Sequence, residues 1–243
     1  MKSAEFLLLS ISIVATGALI SNNTTNSTQV APPRKKQLKN ITLSHVTWTA
    51  LANLTDNDIL PNGQSFGEYE VPFNMSSRYY YYLTGYDFDA QPVWIIEIGR
   101  WDMVDAIKRG QVKELDLYFK QFAYRALREI RKQSTPERPI TQDVLILDFA
   151  NLRLDIVTDV KSLTYALGAI RDATYIIKNF TAEVIIINAN FAAETLIRQV
   201  GPILGAFFEH ITVYGNNKDK WIPRLRRKIP SKFLPECPDK DDY

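Results

Sequence analysis

Few side chains in this chain belong to the types that most often carry chemistry, since the sequence has only two histidines and one cysteine. His45, His210 and Cys237 stand far apart, and none of them has the ligand spacing of a zinc site. His210 follows a predicted helix, where a cationic ring would complement the helix dipole, and we favour this role over that of a general base. The pattern predicts no metal site and no histidine-based catalysis.

Carboxylates offer one further candidate for chemistry. Asp148 stands at the carboxyl end of a predicted strand, where α/β enzymes place catalytic groups. A role in the turn before Asn151 is favoured, because no partner for Asp148 is evident in the sequence. The alternative is an α/β enzyme that uses Asp148 or Asp155.

Motifs that bind phosphate or present a nucleophile are missing from the predicted strand-to-helix turns. There is no Gly-x-Gly-x-x-Gly and no Gly-Lys-Ser/Thr loop. We predict no Gly-x-Ser-x-Gly elbow of a hydrolase on this kind of sheet, and residues 63 to 73 are predicted to form a loop. We therefore predict a protein that is not an enzyme and needs no cofactor.

The elements that position these residues alternate between strand and helix. Apolar, β-branched runs predict buried strands at residues 92–98, 144–149, 184–187 and 211–214. Helical spacing of apolar residues predicts three helices between them, one before each later strand. The stripes are Leu115, Tyr118, Phe122, Ala126 and Ile130; Val160, Leu163, Leu167, Ile170, Thr174 and Ile177; and Leu196, Val200, Ile203 and Phe207. This order predicts an α/β fold with a mainly parallel sheet flanked by helices.

Several motifs in this frame resemble the CRAL-TRIO lipid-binding family. They are Gly85-Tyr86-Asp87, Pro92-Val93-Trp94, Ile187-Asn188-Ala189, Phe191, Gly201-Pro202-Ile203-Leu204, Tyr214-Gly215, Lys220-Trp221, Ile229-Pro230 and Leu234-Pro235. The resemblance extends over roughly Trp48 to Pro235. It implies a lipid-binding lobe whose apolar pocket holds a lipid or an isoprenoid-like ligand and is closed by a mobile gate helix.

The resemblance also assigns residues to the pocket and the gate. The strands have two apolar faces, so periodicity leaves open which face lines the pocket. We predict lining by Trp94, Ile96, Ile146, Ile186, Leu196, Val200, Ile203 and Phe207. The gate is expected to run from about Phe191 to Phe208 and to contain Gly201, Pro202 and Gly205, although a plain core helix explains the same stripe.

Departures from the family pattern bear on the ligand and on the surface. Relatives that bind phosphatidylinositol carry a lysine where this chain has Glu183, so we expect a neutral ligand such as a sterol, a retinoid or a tocopherol, with phosphatidylinositol transfer as an alternative. A basic cluster after the gate is expected either to touch anionic membranes transiently or to be a solvated helix face. The cluster contains Arg224, Arg226, Arg227 and Lys228.

The amino-terminal residues predict entry into the secretory pathway. Residues 1–20 have a basic start and an apolar stretch, as in a signal peptide, and an uncleaved signal anchor is the alternative. Sequons that favour the lumen stand at Asn22, Asn23, Asn26, Asn40, Asn53, Asn74 and Asn179. We expect a disordered, glycosylatable linker at 21–42, a reduced helical region at 43–75, the lipid-binding domain at 76–236 and a charged tail at 237–243.

Composition narrows the class of partner. A net charge of +2 without an aromatic and basic stripe argues against nucleic acid. A single cysteine excludes an internal disulfide, so the core alone must stabilise the fold, and we expect a monomer. The remaining alternative to a carrier is an interaction module that has kept the scaffold but has lost ligand exchange.

Overall fold

A five-stranded sheet forms the centre of the molecule in the computed structural model, which describes residues 38–234. Its strand order is β3-β4-β5-β6-β7. Strand β3 runs antiparallel to β4, and every other neighbouring pair in this sheet is parallel. The bounds are Tyr81–Tyr86 for β3, Pro92–Ile96 for β4, Asp143–Asp148 for β5, Thr181–Ile187 for β6 and Ile211–Val213 for β7. The predicted α/β fold with a mainly parallel sheet is confirmed.

The middle strands are buried on both faces because helices cover both sides of the sheet. All five residues of β4 are buried, as are the last four of β6. Parallel strands between two helical layers have this continuous apolar character. The β-branched run from Val184 to Ile187 is therefore part of an interior strand that is covered on both faces, as its composition predicts, and it lies between β5 and the edge strand β7.

Four of the helices in the described part of the chain begin at a side chain that caps them. Asp102, Asp159, Asn190 and Asn217 each accept a hydrogen bond from a backbone amide in the first turn of the following helix. The helices are α1 (Met75–Arg78), α2 (Met103–Lys108), α3 (Val112–Gln133), α4 (Asp155–Thr158), α5 (Val160–Phe180), α6 (Phe191–Leu204) and α7 (Lys218–Lys228). Helix α6 is shorter than the predicted gate, because Gly205 turns the chain at a φ of 57° and a 3₁₀ turn, Gly205–His210, follows it.

The two faces of the sheet pack against different helices. Residues of α3, α5 and α6 form one large core with one face. Helix α7 packs on the other face through Trp221 and Leu225, and Ile229 extends this contact. Each face therefore has its own apolar core.

Residues 43–75 differ from the predicted helical region. They contain two three-residue 3₁₀ turns, Leu43–His45 and Leu51–Asn53. Strand β1 (Lys39–Asn40) pairs with β2 (Asp58–Ile59) in a separate parallel ladder. The segment lies on α3 and α5, where Leu51 and Phe66 pack against Tyr124 and other apolar residues. Its apolar residues are thus held by tertiary packing, which imposes no helical period.

The predicted signal peptide at 1–20, most of the 21–42 linker and the 237–243 tail lie outside the described residues. The sequons at Asn22, Asn23 and Asn26 lie there too. Asn40, Asn53, Asn74 and Asn179 are described, and all four side chains are exposed.

Candidate functional site: an apolar cavity

A cavity of about 280 Å³ lies between the sheet and helices α3, α5 and α6. Its size is close to the lower end of the ~300–1,000 Å³ that is typical of small-molecule sites. Nearly all of its wall is aliphatic or aromatic. The strands and α6 contribute Ile96, Leu145, Leu147, Val184, Ile186, Leu196, Ile197, Val200 and Leu204, and α3 and α5 contribute Phe119, Phe122, Leu127, Ala166, Ile170, Ala173, Ile177 and Phe180.

The strands line the cavity with alternate residues, because successive side chains of a strand point to opposite faces. Predicted Ile96 and Ile186 lie on the cavity face and line it. Ile146 instead lies in the core beneath α7, and its neighbours Leu145 and Leu147 form the wall. The prediction for Ile146 is therefore wrong. Both faces of this strand are apolar, so the sequence does not indicate which residues face the cavity.

Trp94 lies on the cavity side of the sheet but behind the wall. Its ring contacts the Phe122 ring edge-on at 5.6 Å between centroids, and it also contacts Tyr81 at 6.1 Å. Phe122, and not Trp94, meets the cavity.

Helix α6 supplies one wall through Leu196 and Val200, as predicted, together with Ile197 and Leu204. Predicted Ile203 is half-buried and Phe207 is buried, with the Phe207 ring stacked on His210 at 5.3 Å. Neither of them is part of the wall, whereas Phe208 is. Exposed Phe191 stands at the start of α6.

The cavity is elongated along α5. Its lining includes residues from Tyr165, in the first turns of α5, to Phe180 at the end. At a rise of ~1.5 Å per residue this segment measures about 22 Å, which is long enough for an extended hydrocarbon chain or a fused-ring lipid.

Polar atoms are rare in this wall and stand near its two ends. Asp143 and Thr181, which face each other at the starts of β5 and β6, line one end, and Tyr165 lines the other. Burial raises the pKa of Asp143 to about 7, although hydrogen bonds from the Thr181 side chain and from the backbone lower it in part. Burial also raises the pKa of the Tyr165 hydroxyl. Both groups are therefore suited to hydrogen bonding without charge.

Comparison with known proteins agrees with this architecture. A family model described as the CRAL/TRIO domain matches residues 76–237, more than half of the chain. The chain belongs to the CRAL/TRIO family. Proteins of this family bind and transfer lipophilic ligands and are not enzymes. The predicted recognition and the non-enzymatic prediction are thus confirmed by family membership.

Solved structures match as well, among them the crystal structure of Sfh5. That match has a TM-score of 0.45 and 8% sequence identity, and it covers 60% of this chain and 50% of that one. The aligned part of this CRAL/TRIO chain thus spans half the length of that protein. No curated protein matches the sequence significantly.

The carboxylates considered for catalysis have structural partners in this CRAL/TRIO protein. Asp148 Oδ1 accepts from the Ala150 amide and from Asn188 Nδ2, each at 2.9 Å, and Asn151 follows at a φ of 64°. Asp155 Oδ2 accepts from Arg153 Nη2 at 2.5 Å. Among residues 38–234, no group of three or more His, Cys, Asp or Glu side chains is placed to hold a metal ion.

A Gly-x-Ser-x-Gly sequence does occur at Gly63–Gly67, inside the predicted loop. The structure places it in the loop after β2 and not between a strand and a helix of the main sheet. Ser65 also lacks the positive φ of a strained turn. This serine is therefore not positioned as the nucleophile of an α/β-hydrolase.

The basic cluster lies on α7, across the sheet from the cavity of this CRAL/TRIO fold. Arg224 Nη2 binds Glu183 Oε1 at 2.5 Å, and Lys228 Nζ lies 3.4 Å from Glu183 Oε2 and 3.5 Å from Asp87 Oδ2. Arg226 and Arg227 are exposed. The carboxylate of Glu183 therefore forms ion pairs with α7 and does not face the cavity. The part of the chain from 38 to 234 has no helix both long and apolar enough to cross a bilayer.

Sequence reasoning missed the polar lining. Asp143 stands one residue before the predicted strand, where a polar residue is typical of a turn. Trp48 belongs to a segment in which the helical pattern of apolar residues is weak. The alternation Asp143, Leu145, Leu147 was the available signal, since it places Asp143 on the same face as two lining residues.

Proposed function

We propose that this CRAL/TRIO protein carries a neutral hydrophobic molecule in the cavity and transfers it between membranes. The apolar cavity between the sheet and α3, α5 and α6 is the observation that supports this function. Transfer of a ligand from water into such an apolar cavity is favourable by ~0.8 kcal/mol of free energy per buried CH₂. A lipid chain therefore gains roughly 10 kcal/mol of binding free energy without covalent chemistry.

A neutral ligand is favoured over phosphatidylinositol by the charge of the wall. No Lys, Arg or His side chain of the described residues lines the cavity. A phosphate buried there would lack a cationic partner, which is costly in an apolar site. Sterols, retinoids and tocopherols need no such partner.

Helix α6 is the gate in this proposal. Its buried Ala192 and Ala193 present little side-chain volume for interlocking, and Pro202 interrupts the backbone hydrogen bonds of its last turn. Gly205 then ends the helix at a positive φ. These features suit a wall that moves away from α5 at modest cost.

This carrier acts in the secretory pathway and at membrane surfaces. The signal peptide directs it to the secretory pathway as a monomeric glycoprotein, and the four exposed sequons are compatible with modification. Exposed Phe191 enters the bilayer when α6 opens. Arg226 and Arg227 of α7 contact anionic headgroups in a separate, transient orientation, since α7 lies on the opposite face of the sheet.

Native mass spectrometry of the full chain secreted from insect cells tests the carrier function. We expect a stoichiometric extra mass that releases a lipid or an isoprenoid on denaturing extraction. A bare mass that is unchanged after incubation with mixed liposomes would contradict the proposal and would favour the interaction module.

A further inference from the structure

The end of the cavity at the carboxyl terminus of α5 contains a carboxyl oxygen without a partner. Asp143 is only 3% exposed, and it shares the cavity face of β5 with Leu145 and Leu147. Its Oδ1 atom is buried and has no hydrogen-bond partner within residues 38–234. Buried polar atoms are nearly always paired, so an unpaired one in a cavity wall indicates a group supplied from outside the chain.

An unpaired donor lies at the same end. Trp48 lines the cavity, and its buried Nε1 likewise finds no acceptor in the described chain. Trp48 packs on the cluster that contains Ile176 and against which Phe180 packs. Asp143 pairs across the sheet with Thr181, the residue after Phe180. Both unpaired atoms therefore belong to the end of the cavity where α5 passes into β6.

The chemistry of this pair selects among ligand groups. A hydroxyl both donates and accepts one hydrogen bond, so it satisfies an acceptor and a donor together. An ether accepts from Trp48 but leaves Asp143 unpaired. An ammonium donates to Asp143 but leaves Trp48 unpaired, and a ligand carboxylate would be buried in this wall without a cationic partner.

We propose that Asp143 and Trp48 form a recognition site for a hydroxyl group of the hydrophobic ligand. The hydroxyl donates to Asp143 Oδ1 and accepts from Trp48 Nε1, while the body of the ligand extends along α5 toward Tyr165. This assignment rests on the proposed carrier function, because it requires a hydrophobic ligand in the cavity. It narrows the ligand class to long-chain or polycyclic alcohols.

Matched probes that differ in one donor test the assignment. The secreted full chain is delipidated and titrated with straight-chain saturated alcohols from dodecanol to octadecanol, and with the methyl ether of each. A change in tryptophan fluorescence reports binding, because Trp48 and Trp101 line the cavity. We expect the best-fitting alcohol to bind about tenfold more tightly than its ether, since the ether leaves a buried acceptor unpaired.

Two variants locate this preference. Asp143→Leu removes the acceptor at similar size, and the alcohol-to-ether ratio is expected to fall below about twofold, whereas Asp143→Asn retains an acceptor oxygen and part of the preference. Leu147→Val is the matched control, because Leu147 lines the cavity from the same strand and touches no polar group of the ligand. It should change the affinity for both probes by the same factor.

Each outcome separates this assignment from the carrier function. Equal binding of alcohol and ether to the wild-type protein overturns the hydroxyl site and leaves the carrier function intact, and so does a preference that survives Asp143→Leu. If Asp143→Leu does not fold, Trp48→Phe, read out by native mass spectrometry, removes the donor and must also weaken alcohol binding more than ether binding. Failure of every probe to bind overturns the hydroxyl site, and the native mass spectrometry described above then decides whether the carrier function stands.

Discussion

Asp143 stands out among the carboxylates because nothing charged compensates its burial. The causes of its pKa are burial, which raises it, and hydrogen bonds from Thr181 and the backbone, which lower it. Asp148, by contrast, accepts two hydrogen bonds at the other end of β5. The same strand thus begins with a carboxyl group that favours the neutral form and ends with one that serves a turn.

Asp143→Asn is expected to change how stability depends on pH. The pKa of Asp143 is raised from 3.8 to about 7 on folding, so between these values the folded protein retains a proton that the unfolded chain releases. The resulting contribution to stability is present below the lower pKa and is lost as pH rises to the upper one. The variant should therefore gain on the order of 2–4 kcal/mol relative to wild type between about pH 4 and about pH 8.

Urea unfolding across this pH range measures the difference in free energy of unfolding between the two proteins. Asp172→Asn is the control, because Asp172 is exposed on α5. Its free energy of unfolding is measured over the same pH range for comparison. A constant difference for Asp143→Asn would show that Asp143 is ionised normally in the folded protein.

Among the helices and strands, α6 is the element whose end is determined by backbone geometry more than by side-chain contacts. The helix carries the lining residues Leu196 and Val200, and its C-cap, Gly205, adopts a φ of 57° and a ψ of −132°. L-residues with a side chain avoid this region. The glycine thus determines where helix α6 ends and the 3₁₀ turn begins.

Gly205→Ala is expected to destabilise the protein by about 1–3 kcal/mol, because the cost comes from the backbone. A Cβ atom there would meet only the Lys178 Nζ atom at 4.0 Å, so steric overlap is not the cause. Gly168→Ala in α5 is the matched control, since a Cβ there meets nothing within 4 Å and the helix favours alanine by about 1 kcal/mol. Thermal unfolding should show opposite shifts for the two variants, and a stabilising effect at Gly205 would contradict the strained geometry.

Pro202→Ala tests whether α6 moves as the proposed gate. Alanine restores a backbone donor to the last turn of α6 and stiffens it, so ligand transfer between donor and acceptor liposomes should slow several-fold while the bound amount stays the same. Pro223→Ala makes the same change in α7 on the opposite face, where proline is also exposed within a helix. Equal transfer rates for Pro202→Ala and wild type would argue that α6 is a static core helix.

In the whole molecule, the sheet separates two helical layers. The cavity and helix α6, the proposed gate, lie on one face, and α7 with its ion pairs to Glu183 lies on the other. Arg226 and Arg227 are the exposed cations of the basic cluster, so an electrostatic membrane contact through α7 would involve them. In the proposed function, such a contact would orient the protein at a membrane without opening the cavity, because α7 lies on the opposite face of the sheet.

Passage through the secretory pathway predicts glycans on the exposed sequons. Treatment of the secreted protein with an endoglycosidase should lower its mass, and Asn53→Gln should remove one glycan. Asn62→Gln, an exposed asparagine nearby that is not in a sequon, should leave the mass of the glycans unchanged. A mass equal to that of the unmodified chain before treatment would contradict passage through the lumen.

Much of the fold follows from local pattern. The continuous apolar runs of β4, β5 and β6, separated by helical stripes, favour a parallel sheet between helices, because this arrangement buries both faces of such strands. Capping residues such as Asp159 and Asn190 mark helix starts at the level of the sequence. The single cysteine likewise excludes an internal disulfide whatever the fold.

Only the tertiary structure decided which residues meet the cavity. A strand that is apolar on both sides has no period that marks one face, so Ile146 and Leu145 were equivalent until α7 covered one of them. Trp48 and Asp143 are about a hundred residues apart in the sequence, and packing of the amino-terminal segment on α3 and α5 brings them to one end of the cavity. Sequence alone therefore determined the α/β architecture, which depends on local apolar patterns, whereas the polar end of the site depends on long-range contacts that no local pattern encodes.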